Sequence, residues 1–271
     1  MRADIDAEIF ENFIFETIMK KPPSEFCRTD LLALIEAEDH VLEIGPFTKP
    51  VIQGPNVKYF DVLDRKGLQR RAAEKNYNYE NAPEIDYVSP VGDLSVINEN
   101  FDVCVSSHCI EHQPDLIEHF TQVSRILRPG GRFLLIIPDK LYCFDRFIPA
   151  STLAEVFDAQ GRKVHTLANL IRHRYLVTHN EATRHWRGDN GHPRGFTQLQ
   201  HVRNALTEFE RADGGYVDVH AWQFTPATFR NIMSDLKTLG VINLECEAVY
   251  GTPYGTFEFC AVLKKVAEAP M

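Results

Sequence analysis

No apolar run in this chain approaches the ~18 residues that a membrane-crossing helix needs, no two cysteines form a CxxC pair, and basic residues are in the minority. Each shortage excludes something. With 29 Lys and Arg against 38 Asp and Glu, the net charge is -9, and no basic stripe carries interleaved aromatics. That argues against nucleic acid or an anionic membrane surface as partner. The six cysteines (Cys27, Cys104, Cys109, Cys143, Cys246 and Cys260) are scattered, which suits reduced thiols better than a zinc site or a disulfide frame. The first residues, MRADIDAEIFENFIFE, place acids where a signal peptide needs bases and then an apolar stretch. The expectation is a cytoplasmic protein without a membrane span. Internal repeats and low-complexity linkers are also lacking. What is present is ordinary globular material: 271 residues, 44% hydrophobic and 25% charged. This suits one large domain, or one domain with an insertion.

The pattern turns on Val41 to Phe47, VLEIGPF. Val41, Leu42 and Ile44 form a short β-biased run that Gly45 and Pro46 stop, which reads as a buried parallel strand and a ligand-binding turn. Glu43 lies inside the run, where a carboxylate needs a partner. Upstream, helical spacing is seen over 5–20 and again over about 24–36. Downstream, strands are expected at 57–62, 85–88, 101–106 and 132–138, with helices at 68–75 and from Pro114 to about Leu127, proline sitting in the first turn. Arg128-Pro-Gly-Gly131 reads as a tight connection. From Asp139 to about Tyr216 the alternation breaks, with helical pieces near 151–159, 165–177 and 197–212. Thr225-Pro226 then opens a helix that Gly240 closes, and strands near 241–249 and 256–263 make a terminal hairpin. Strands alternating with helices predict an α/β fold, a mostly parallel sheet with helices on both faces.

Taken in order, LEIG (42–45), an acid after the second strand (Asp61), Gly92-Asp93, FDVCVSSHCIEH (101–112) and LRPGG (127–131) resemble the class I S-adenosylmethionine-dependent methyltransferases. The likeness covers about 40–140 well and 220–265 more loosely. It implies a Rossmann-like, seven-stranded sheet, six strands parallel and the last antiparallel, and S-adenosylmethionine as cofactor. Carried over residue by residue, it implies that Gly45, with Pro46 after it, lets the backbone approach the methionine part. Glu43 serves the amino-acid end or orders the loop. Asp61, or its rival Asp64, takes the ribose hydroxyls; Asp93 with Leu94 contacts adenine; Ser106, Ser107 and His108 stand at the carboxyl end of the fourth strand. The family's GxGxG loop is reduced here to its first glycine, since Pro46, Phe47, Thr48, Lys49 and Pro50 follow. A weaker resemblance, in EIGPF and EHQPDL, is to methyltransferases of bacterial surface-polysaccharide pathways.

The division expected is an N-terminal helical segment (1–39), a methyltransferase domain (40–138 and 217–271) and an acceptor-binding insertion (139–216). Six of the eleven histidines fall between 165 and 201. The densest group, His179, Asn180, Arg184, His185, Trp186, Asp189 and His192, suits a polyhydroxylated acceptor through hydrogen bonds, charge pairing and ring stacking; the bland alternative is a polar surface loop. His108, Asp139, His185 and His192 are the candidate bases. His165 and His173 fall on a helix and read as structural, and His112 as a helix cap. A metal through His and Asp ligands matches no standard spacing, so none is expected. The function implied is O-methylation of a sugar hydroxyl of a surface glycan or its precursor. A small-metabolite acceptor, or a non-catalytic scaffold on the same fold, is the alternative. A homodimer is left open.

Overall fold

The computed structural model describes residues 22, 24–192 and 198–266. The helix expected over 5–20 lies outside them. Seven strands form one sheet: β1 (Val41–Ile44), β2 (Val57–Asp61), β3 (Tyr87–Val88), β4 (Phe101–Ser107), β5 (Leu127–Pro138), β6 (Leu244–Val249) and β7 (Glu258–Lys265), in the order β3-β2-β1-β4-β5-β7-β6. β1 pairs in parallel with both β2 and β4, β3 with β2, and β5 with β4. Only β7 runs against its neighbours, β5 and β6. This is the sheet that the resemblance implies. The chain reverses its winding between β1 and β4, and the crevice outside the carboxyl ends of those strands is where such sheets take ligands.

Side chains alternate across the sheet, and the two faces build two cores. Cys104 on β4 and Phe133, Leu135 and Ile137 on β5 pack with the helices α3 (Leu116–Ile126) and α8 (Pro226–Thr238). Val103, Val105, Leu134 and Ile136 pack on the other face with Phe26 and Leu31 of the short helix α1 (Arg28–Leu32) and its lead-in. A third cluster joins α5 (Leu167–Leu176) to α7 (Gln198–Ala212) through Leu170 and Ala205. Among the described residues no helix is long and apolar enough to cross a membrane.

Several boundaries differ from expectation, three of them for a visible local reason. The helix expected over 24–36 is only Arg28–Leu32. Helix α2 spans Arg65–Glu74, starting earlier than expected because the Asp64 carboxylate accepts from Gly67 N at 2.7 Å and caps it. Pro114 stands outside α3: Asp115 is the cap, accepting from Glu118 N at 3.0 Å. Arg128–Gly131 is not a separate turn but part of a long β5, with a bulge where Phe101 and Val103 change register and Gly130 at φ +79°. The helix from Thr225 is as expected: Thr225 accepts from Thr228 N, Pro226 opens the first turn, and Gly240 follows at φ +70°.

Candidate functional site

The crevice is built from the ends of β1, β2 and β4. Gly45 has φ +74°, and a Cβ there would stand 2.9 Å from Cys109 Sγ, so glycine is required by both backbone and packing. The loop after it is tied down by carboxylates. Glu43, buried, accepts from Val51 N at 2.9 Å and Ile52 N at 3.3 Å. Burial pushes its carboxyl up to about 7 despite those donors. Of the two roles open to Glu43, loop ordering is the one its bonds display. Asp61 is 7% exposed and accepts from Val62 N at 2.7 Å on one oxygen and Phe47 N at 3.2 Å on the other. Phe47 itself is left-handed, at φ +49°. Thr48 is buried and donates to Asn78 O at 2.8 Å. Asp93 caps a single turn at Leu94–Val96, accepting from Ser95 N and Gln122 Nε2, both at 2.8 Å. The Ser95 N–H leads the causes that hold the Asp93 carboxyl low. Leu94 itself is fully buried in the core.

β4 ends on Ser106, whose buried hydroxyl has no hydrogen-bond partner, and half-buried Ser107. His108 then takes a left-handed conformation, φ +51°, uncommon outside glycine, though histidine tolerates it better than most side chains. Its Nε2 lies 2.9 Å from Glu258 Oε2 at the start of β7, and its Nδ1 3.6 Å from Glu111 Oε1. Glu258 also accepts two bonds of 2.7 Å from Arg28. Burial alone would raise the Glu258 carboxyl, but His108 and Arg28 hold it at about 2. Burial pushes the Cys109 thiol up to about 12, which disfavours its thiolate. Asp139, just past β5, is buried with both oxygens engaged, Oδ1 by Leu141 N at 2.9 Å and Oδ2 by Thr252 Oγ1 at 2.6 Å. Those bonds make it an anchor between the post-β5 turn and the β6–β7 connection.

The polar loop closes on itself. His179 and His185 stack at 4.2 Å, and His185, buried, has Nε2 at 3.0 Å from His179 O and Nδ1 at 3.2 Å from Asn190 Oδ1. Arg184 pairs with Glu181 at 2.7 Å and Asp189 at 2.8 Å. Trp186 closes the short helix α6 (Ala182–Trp186), donates to Thr256 O at 2.7 Å and stacks on Tyr142 at 3.8 Å. The loop is thereby docked on the β6–β7 connection. Asn180 and Thr183 share an open groove of about 460 Å³ with Arg28 and Gly255–Glu258. His192 is exposed. Glu258 therefore joins His108 to the groove that Asn180 borders, whereas Asp139 and both nitrogens of His185 are occupied elsewhere.

Four residues that sequence reasoning passed over, Glu111, Asp145, Asp218 and His220, gather beside His108 and His112. The signals were IEH at 110–112, directly after a strand end, and VDVHAW at 217–222. More than a hundred residues separate them, so spacing alone could not join them.

Residues 54–135 match the family described as a methyltransferase domain. No curated protein matches. Among solved structures, the chain is 15% identical to an S-adenosylmethionine-dependent methyltransferase from Methanosarcina mazei, covering 90% of this chain and all of that one at a TM-score of 0.44. It is 14% identical to the CcbJ methyltransferase of Streptomyces caelestis (87% and 92% covered, TM-score 0.42). It is also 14% identical to the CurJ carbon methyltransferase (TM-score 0.40), of which it spans only about half, 54%. Scores this low do not bear on residues or acceptors. The domain match and the sheet order support an S-adenosylmethionine-dependent methyltransferase. The crevice fits that cofactor at its ribose end. Asp61 keeps acceptor capacity beyond its backbone donors, and Ser106 offers an orphaned hydroxyl at the end of β4.

Proposed function

We propose that this chain methylates a hydroxyl of a sugar, in a bacterial surface glycan or its precursor, with His108 as the general base. What carries the reading is the position of His108 at the seam of two spaces. Its own strand end opens on the cofactor crevice, and its partner Glu258 lines the groove bordered by Asn180 and Thr183. S-adenosylmethionine would supply a methyl group made electrophilic by the sulfonium it leaves. Asp61 and Ser106 would hold the ribose end. A sugar hydroxyl is a weak nucleophile, so its proton must go as the O–CH3 bond forms. His108 Nδ1 is the nitrogen not bonded to Glu258. In taking the proton there, the ring becomes an imidazolium between Glu258 and Glu111, and ionised Glu258, held by Arg28, stabilises it. Asn180, Arg184, Trp186 and His179 would offer the polar and stacking surface that a polyhydroxylated acceptor needs; His185 and His192 would support that surface.

The decisive experiment is calorimetric titration with S-adenosylmethionine, followed by acceptor profiling on nucleotide sugars and oligosaccharides. Asp61→Ala is expected to weaken cofactor binding at least tenfold, about 1.4 kcal/mol. His108→Ala should leave binding intact and lower kcat by about 10²–10⁴. His185→Ala and His192→Ala should lower activity without touching cofactor binding. Binding without transfer to any sugar would move the acceptor to another small metabolite. A well-folded chain that binds no cofactor would favour the scaffold reading.

A further inference from the structure

We infer that Glu111, His112 and His220 form a binding site for a divalent first-row transition-metal ion. Glu111 is 0% exposed, and neither of its carboxylate oxygens has a hydrogen-bond partner. An ionised carboxylate in that state is costly and needs a counter-charge. Two imidazoles face it without reaching it: His112 Nε2 and His220 Nε2 each lie 3.9 Å from Glu111 Oε1. That is too long for a hydrogen bond, but it is a separation that two bonds of about 2.1 Å to a shared cation can span. One donor atom from each of the three residues lies within 4.8 Å of the others.

The second nitrogen of each ring faces a carboxylate. His220 Nδ1 is hydrogen-bonded to Asp145 Oδ2 at 2.6 Å, and His112 Nδ1 lies 3.1 Å from Asp218 Oδ1, an ion-pair contact whose acid also pairs with Lys75. The acid on His220 Nδ1 fixes the tautomer that leaves its Nε2 free to ligate, as in carboxylate–histidine–metal triads. The frame around the site is firm. Glu111 O accepts from Ala221 N at 2.8 Å and Trp222 N at 3.2 Å, so the turn after β4 and the segment carrying His220 are stitched together. The rings of His112 and His220 meet edge to face at 4.7 Å. Two imidazoles and one carboxylate suit iron, cobalt, manganese or zinc better than an all-oxygen site for calcium would, and three protein ligands leave positions for exogenous oxygen. On the methyl-transfer reading above, an ion here would sit beside His108 and lower the pKa of an acceptor hydroxyl. Metal binding itself does not depend on that reading.

The test needs no cofactor and no acceptor. The full chain, stripped with a chelator that is then removed, is titrated with Co²⁺ and followed by visible absorption and calorimetry, then challenged with Zn²⁺. One saturable equivalent is expected, with absorption bands of nitrogen-ligated cobalt that Zn²⁺ displaces. Glu111→Gln and His220→Ala should each weaken binding at least 100-fold. Asp145→Asn, which leaves all three ligands in place, should weaken it about 10- to 100-fold through the orientation of His220. That milder variant keeps the test alive if removing a ligand prevents folding. No saturable signal from the folded wild-type chain overturns the proposal. So does an equivalent that binds equally tightly in all three variants, which would place the ion elsewhere, for instance among the histidines at 179–192.

Discussion

Glu43 shows how the bonds of a single side chain select between two roles that its position leaves open. Its place in the first strand suits a ligand contact, yet its oxygens are taken by Val51 and Ile52. Because burial raises its carboxyl to about 7, the folded state holds this proton more tightly than the unfolded chain, whose value is near 4.5. Glu43 therefore contributes stability below about pH 4.5 that is lost as pH rises toward 7, an effect of roughly 3 kcal/mol at most. Glu43→Gln removes the titration and keeps an acceptor. The difference in unfolding free energy, Gln variant minus wild type, should rise between pH 5 and pH 8. A difference that stays flat with pH would mean that Glu43 is ionised throughout. Gly45 makes a complementary case, for a residue whose backbone and packing both require glycine. Gly45→Ala should cost about 1–2 kcal/mol for its left-handed φ, with a further penalty from the 2.9 Å approach to Cys109 Sγ. In urea titrations Cys109→Ala should recover the second part and not the first.

At the scale of elements, the sheet was legible because each strand announces itself locally. FDVCVSS and RFLLIIP are short apolar runs with turn residues beside them, and a buried parallel strand needs little else. Boundaries were less legible where a side chain far along the chain decides them. Nothing near LRPGG says that Leu127 pairs with Phe101, so the strand was cut short there. The polar loop at 178–192 could be placed in sequence but not docked, since its anchor is Thr256, seventy residues beyond Trp186. That anchor makes a prediction about the loop as a unit. Trp186→Ala deletes both the stack on Tyr142 and the bond to Thr256 O. Amide exchange should quicken together over 178–191 and 252–257, by about 10-fold or more, while the strands β1, β4 and β5 keep their protection. Faster exchange on one side only would mean that other contacts hold the two segments together.

The molecule as a whole keeps several histidines in its interior, and this was the least legible feature of all, because burial of a polar residue is set by the fold. His165 and His173 were read as structural from their helical spacing, but His119 gave no sign of itself. It lies on α3, 4% exposed, packed between Phe120 and Phe133, with no partner for Nε2. Burial lowers His119 and His165 to about 4 and His173 to about 3. Here the sign opposes that of Glu43. A histidine whose folded value is depressed binds its proton more readily in the unfolded chain. Its stabilising effect is full above about pH 6.5 and is lost as pH falls toward 4. Raised carboxyls such as Glu43 work against this in the same range, so the slope of the whole chain mixes the two and is a poor test. A difference isolates one term. His119→Leu keeps an apolar helix former among those aromatics and removes one titrating group. Between pH 6 and pH 4.5 the wild type should lose stability faster than this variant by about one proton's worth, ~1.4 kcal/mol per pH unit. Parallel curves for the two would mean that His119 is charged inside the fold, and that the cavity around it admits water.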